Sequence, residues 1–103
     1  MAAVDEMIRC AIDTMHDRYD HALSTSDLAS IATLSPYYFT RKFRRVTGVT
    51  PGSYLAAIRI SQAKWLLLTT SLRVSDVMYR VGYGSIGTFT RKFTASVGIP
   101  PTL

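Results

Sequence analysis

The sequence predicts an all-α protein in which two related helical units stand on either side of one long helix. Three observations predict it. The pentapeptide Phe-Thr-Arg-Lys-Phe occurs twice, from Phe39 to Phe43 and from Phe89 to Phe93, and each copy follows a serine four positions earlier, Ser35 and Ser85. Each copy is closed by a glycine, a β-branched residue and proline: Gly48-Val49-Thr50-Pro51 in the first, Gly98-Ile99-Pro100-Pro101 in the second. Between the copies, from Gly52 to about Thr69, runs a stretch rich in apolar residues that no proline interrupts. A repeat of this length in 103 residues marks a duplicated structural unit.

A helical residue advances by about 100°, and on that wheel the repeat sorts into two faces. Phe39, Phe43 and Val46 share one face, as do Phe89, Phe93 and Val97, with Ile86 beside them. The opposite face carries Tyr37, Thr40, Arg41 and Arg44 in the first copy, and Gly87, Thr90, Arg91 and Thr94 in the second. The phenylalanines are expected in the core. The polar face of a single helix would pass for solvated surface, but the same polar pattern occurs twice.

In chain order, the first element spans about Ala3 to Tyr19, with Val4, Ile8, Ala11, Ile12, Met15 and Tyr19 at helical spacing. Cys10 and His16 fall within it; a packed thiol and a surface imidazole are expected, since no partner for catalysis stands near them. Ser24 to Asp27 then fits the capping box that opens a helix, and Leu28, Ala29, Ile31 and Ala32 make that helix short. Ser35 as N-cap and Pro36 as first helical residue start the next one, with Gly48 as its C-cap. A short helix, a tight turn and a second helix make a helix-turn-helix, whose second helix enters the major groove of DNA.

Thr50-Pro51 caps the long helix in the same manner. At about 27 Å it reads as a spacer setting the distance between the repeats, with Trp65 expected to be partly buried against the second unit and an interaction surface as the alternative. The second unit starts near Ser75-Asp76, continues through Val77, Met78 and Val81, turns at Gly82-Tyr83-Gly84 and restarts at Ser85. Its turn is one residue longer than the first. Gly87, early in the last helix, costs about 1 kcal/mol relative to alanine and lets the backbone approach another surface.

Composition bounds the function. Hydrophobic residues make up 48% of the chain, enough for a core. Twelve Lys and Arg against seven Asp and Glu leave a net charge of +5, which favours a polyanionic partner. The single cysteine excludes an internal disulfide and a thiolate zinc site. No apolar run approaches the roughly 18 residues of a membrane span, and Met1 is not followed by a signal peptide. A soluble protein of a reducing, intracellular compartment is expected. The two histidines, His16 and His21, have no carboxylate pair or phosphate loop beside them, so no enzyme is expected.

The residues Asp27-Leu28-Ala29, Ser35-Pro36-Tyr37-Tyr38-Phe39, Arg41, Phe43, Thr47-Gly48, Pro51 and Tyr54 resemble the DNA-binding domain of AraC/XylS-type bacterial transcription regulators. So do Arg59, Ala63, Leu66-Leu67, Val81-Gly82-Tyr83, Ser85, Phe89, Arg91, Phe93, Gly98 and Pro100-Pro101, so the likeness covers nearly the whole chain. It implies about seven helices: a first helix-turn-helix unit with an N-terminal helix over 1–50, a linker helix over 51–70 and a second unit over 71–103. It implies sequence-specific binding of double-stranded promoter DNA, with the two recognition helices in successive major grooves. Tyr37, Thr40, Arg41 and Arg44 would read bases in the first half, and Ile86, Gly87, Thr90 and Arg91 in the second. Ser35, Ser85 and Arg45 complete the expected DNA-contacting set.

Relatives place polar groups where Ile86 and Gly87 stand, alanine where Met78 stands, and several arginines on the linker helix where Ala56, Ala57 and Trp65 stand. No metal or cofactor is expected. RNA polymerase is a candidate partner, the fragment is expected to be monomeric, and its place is the cytoplasm, at the nucleoid. The physical chemistry agrees. Arginine can bind guanine O6 and N7 together, threonine can meet a thymine methyl or a phosphate, and Lys42, Arg44 and Arg45 add attraction to any phosphate backbone. The rival expectation is a helical protein-interaction module whose DNA affinity comes from charge alone.

Overall fold

The computed structural model of the chain describes residues 2–101, with side chains from Asp5 onward. Six helices follow one another: α1 (Ala2–Arg18), α2 (Thr25–Ile31), α3 (Pro36–Thr47), α4 (Pro51–Thr69), α5 (Val74–Arg80) and α6 (Ile86–Val97), with no strand among the described residues. About seven helices were expected. Six are observed, and the residues after Pro101 lie outside the described ones.

The helix starts are held by side chains. Ser24 and Asp27 close a reciprocal capping box, each side chain bonded to the other's backbone N–H at 3.0 Å. Ser35 Oγ accepts from the Tyr38 N–H at 3.3 Å, Thr50 Oγ1 from Ser53 at 3.2 Å, and Ser85 Oγ from Thr88 at 3.4 Å. Gly48 and Gly98 close α3 and α6 in the left-handed conformation, at φ 86° and 93°. The second unit's first helix departs from expectation: it begins at Val74, after Arg73, which makes no side-chain cap bond.

Two separate cores form. Ile8, Ala11, Met15, Leu28, Ala29, Ala32, Phe39, Phe43 and Leu55 make the first. Ile60, Ala63, Val77, Met78, Val81, Tyr83, Phe89 and Phe93 make the second. Each repeat thus contributes its phenylalanine pair, with ring centroids 5.6 Å apart in the first and 5.8 Å in the second. Helix α4 gives Leu55 to one core and Ile60 and Ala63 to the other, and the Tyr19 side chain packs against both. The molecule is a rod of 46 × 21 × 21 Å.

Several expectations are corrected. Val46 is 46% exposed; the residue fifty positions before Val97 is Thr47, which lies half-buried and donates its hydroxyl to the Phe43 and Val49 carbonyls at 2.9 and 3.0 Å. Trp65 is 63% exposed rather than packed on the second unit, because Ile60, Ala63, Leu66 and Leu67 occupy that contact. Cys10 is exposed, not packed. The side chain of Val4 lies outside the described residues. Met78 is buried in the second core.

A joint ties the two units. Arg59, midway along α4, donates from Nε to the Tyr19 carbonyl at 2.7 Å and from Nη2 to the His21 carbonyl at 2.8 Å. Both carbonyls follow the C-terminus of α1. The same guanidinium lies 5.4 Å from the centroid of the Tyr83 ring, in the second unit's turn. Next to Tyr83, Gly82 sits at φ 98°, where a Cβ would come 2.9 Å from the Tyr19 carbonyl oxygen and 3.1 Å from Arg59 Nε. Only glycine combines that backbone with that clearance.

Candidate nucleic-acid interface

Helix α3 presents a cationic face because its apolar stripe is committed to the core. With Phe39 and Phe43 pointing inward, Arg41, Arg44 and Arg45 are exposed and Lys42 is half-buried. Neither α3 nor α6 contains an acidic residue. Among the described residues the one ion pair is Asp20 with His21, so no carboxylate neutralises the charges of α3 or Arg91. Four of the seven acidic residues, Asp5, Glu6, Asp13 and Asp17, are on α1 instead. Positive potential is therefore concentrated on α3.

The side chains on this face are arranged rather than merely exposed. The Arg41 guanidinium carbon lies 5.7 Å from the Tyr37 ring centroid, an i to i+4 pair on one helical face. Tyr37 itself is 73% exposed. Tyr38, Arg41, Lys42 and Arg45 surround a shallow depression of about 110 Å³. Tyr38 was not among the residues expected from sequence; its position three residues before Arg41 and four before Lys42 was the available signal. Thr40 is half-buried, at the edge of the face rather than on its crest.

On α6 the corresponding positions are poorer. Ile86 is 51% exposed and Arg91 is exposed, while Thr90 is half-buried like Thr40. Gly87 occupies the position of Tyr37, so Arg91 has no ring to lie on. A Cβ at Gly87 would meet only Ser85 Oγ, at 3.8 Å. Ser35 and Ser85 are spent on capping, with their hydroxyls engaged by backbone N–H groups. The structure thus sets Tyr37, Arg41, Arg44 and Arg45 together on α3, and Ile86, Gly87 and Arg91 together on α6.

No group of three or more His, Cys, Asp or Glu among the described residues could hold a metal ion. No described helix is long and apolar enough to cross a membrane.

A family model described as a helix-turn-helix domain matches residues 28–103. The chain belongs to the AraC-type helix-turn-helix family. Its similarity to individual members of the AraC family is consistent with this. It is 32% identical over 93 residues to the uncharacterized HTH-type transcriptional regulator YobQ of Bacillus subtilis (strain 168), covering 90% of this chain and 39% of that protein. The chain thus spans well under half the length of that curated relative. Among solved structures, the C-terminal domain of AraT, a response regulator from Geobacillus stearothermophilus, superposes with a TM-score of 0.88 at 27% identity, over 92% of this chain and 79% of that one. The DNA-binding domain of AdpA, a global transcriptional factor solved in complex with a target DNA, gives 0.87 at 28% identity, over 91% and 85%.

Proposed function

We propose that this AraC-type domain is the DNA-binding part of a transcription regulator, reading duplex DNA with α3 and α6 in successive major grooves. The observation that carries the reading is the unpaired cationic face of α3, repeated in reduced form on α6 of a rod long enough to follow one DNA turn of about 34–36 Å. The likeness to a domain solved on its target DNA supports it. Tyr37, Arg41 and Arg44 read bases in the first half-site, while Lys42, Arg45 and the Tyr38 hydroxyl hold phosphates. Arg91 reads the second half-site, aided by the apolar Ile86 and by DNA shape.

In this reading the domain binds one asymmetric, bipartite site as a monomer, in the cytoplasm, with RNA polymerase as the candidate protein partner at the promoter. The test begins with selection of bound sequences from a random duplex pool. Each half-site is then scrambled separately at one fixed salt concentration. The first half should cost more affinity than the second. If selected DNA gains nothing over random DNA, a protein-interaction module with charge-driven DNA affinity replaces this reading.

A further inference from the structure

Nothing about α4 alone fixes how the two units face one another. It is a single helix with a core wrapped on each half, and small rotations of either unit about it would re-aim a recognition helix. A shift of one base-pair step, about 3.4 Å, is small beside the molecule's 21 Å width, so a modest rotation is enough to spoil the register. A bipartite reader therefore needs a device that stops this rotation.

Arg59 has the geometry of that device. Its Nε and Nη2 hold two carbonyls beyond the end of α1, Tyr19 at 2.7 Å and His21 at 2.8 Å. Helix α1 packs on α2 and α3, so this end belongs to the first unit. The guanidinium face lies against the Tyr83 ring, which in turn packs on Phe89 with ring centroids 5.6 Å apart. Phe89 lies in the recognition helix α6. One planar group thus links α1, α4 and the aromatic stack that seats α6. The fork fixes direction as well as distance, which a lysine, a point charge on a flexible stem, cannot do.

We infer that Arg59 is a positioning residue that sets the half-site spacing this protein accepts on DNA. The inference rests on the bipartite reading above and adds to it the origin of the spacing. Arg59 is not placed to read DNA: its Nε and Nη2 are held by backbone carbonyls and its face lies on Tyr83. Its substitution therefore changes which spacings are tolerated more than it changes affinity for a single half-site.

The test uses the selected bipartite duplex and a ladder of duplexes in which the halves stand one or two base pairs closer or farther apart. Wild type, Arg59→Lys, Arg59→Met and Tyr83→Leu are compared at fixed salt, at a temperature where each is shown to be folded. Wild type should bind off-spacing duplexes about ten-fold or more weakly, the scale of a mismatched base pair. The variants should lose most of that discrimination while keeping wild-type affinity for a duplex carrying the first half-site alone. If Arg59→Lys, the mildest change, keeps the wild-type spacing profile, the inference is overturned whatever happens to its melting temperature. If wild type is itself indifferent to spacing and to scrambling of the second half, the bipartite reading falls first and the inference falls with it.

Discussion

Thr33 and Gly82 occupy the same left-handed position in the two turns, at φ 57° and 98°. The bonding around them matches residue for residue. Thr33 donates to the Ser30 carbonyl and Leu34 to Ala29; Gly82 donates to Tyr79 and Tyr83 to Met78. Gly82 is pressed against Tyr19, whereas Thr33 carries a β-branched side chain in a conformation costing L-residues about 1–2 kcal/mol.

Opposite mutations at the two positions should therefore have opposite signs. Gly82→Ala forces a Cβ to 2.9 Å from a backbone oxygen at positive φ, and should destabilise by about 1–3 kcal/mol. Thr33→Gly relieves strain but gains unfolded-state freedom, so it should stabilise by no more than about 1 kcal/mol. Urea denaturation of both variants checks this; equal losses would mean that the turns do not differ in clearance.

The Tyr83 hydroxyl is buried without a hydrogen-bond partner among the described residues. Burial also pushes this phenol's pKa up, against the pull of the nearby Arg59 charge. Tyr83→Phe keeps the ring under Arg59 and removes the unsatisfied oxygen, so it should be neutral or stabilising by about 1 kcal/mol. A loss above about 1 kcal/mol in denaturant melts would show that the hydroxyl has a partner.

Arg41→Ala should cost about 1–3 kcal/mol on the selected site and relax base preference locally, whereas Lys42→Ala should weaken all sequences alike and reduce the salt slope by about one. Binding of both variants to selected and random duplexes across a salt series separates them. Identical behaviour removes base reading from Arg41.

Gly87→Ala meets only an ordinary contact, Ser85 Oγ at 3.8 Å, and replaces a poor helix former, so the fold should gain about 0.5–1 kcal/mol. If α6 enters the groove as proposed, affinity for the second half-site should fall, because the added methyl would stand between the helix backbone and the DNA. A tighter second half-site would place that helix start away from the duplex.

The Ser24 backbone N–H, and then its hydroxyl, hold the Asp27 carboxyl below its ordinary pKa. A depressed carboxylate stabilises above its unfolded pKa of about 3.9 and loses that contribution as pH falls through the folded value. Asp27→Asn should thus narrow its gap from wild type on acidification below about pH 4. Melting temperatures from pH 2 to 7 check the sign.

Much of this fold was legible because its signals are local. Ser24, Ser35, Thr50 and Ser85 announce helix starts by chemistry that needs no tertiary partner, and the repeated phenylalanines mark both cores. Trp65 was misread because α4 is apolar around much of its circumference, so spacing alone cannot say which apolar side faces the second unit. Val46 and Thr47 straddle the edge of the α3 stripe, and the repeat, aligned on Val97, favours Thr47. Thr33 was invisible because threonine gives no hint of positive φ. Arg59 could be named from the resemblance, but its partners, the Tyr19 and His21 carbonyls, are backbone groups forty and thirty-eight residues away, and backbone acceptors leave no trace in a sequence. The exposure of Tyr37 and of the α3 arginines was readable from the wheel, and Tyr38, three residues before Arg41, could have been added by the same spacing.

The division into two cores has a consequence for how the molecule comes apart. Each half buries too little alone to resist unfolding for long, and each borrows part of α4, so opening one half weakens the other without abolishing it. Amide exchange should then show two tiers of protection, with α5 and α6 released before α1 to α3, whose core also encloses a third long helix. The local character of most contacts favours fast collapse of each half. A cellular protease would therefore find the C-terminal half first, and DNA spanning both grooves would protect it by holding the halves closed together.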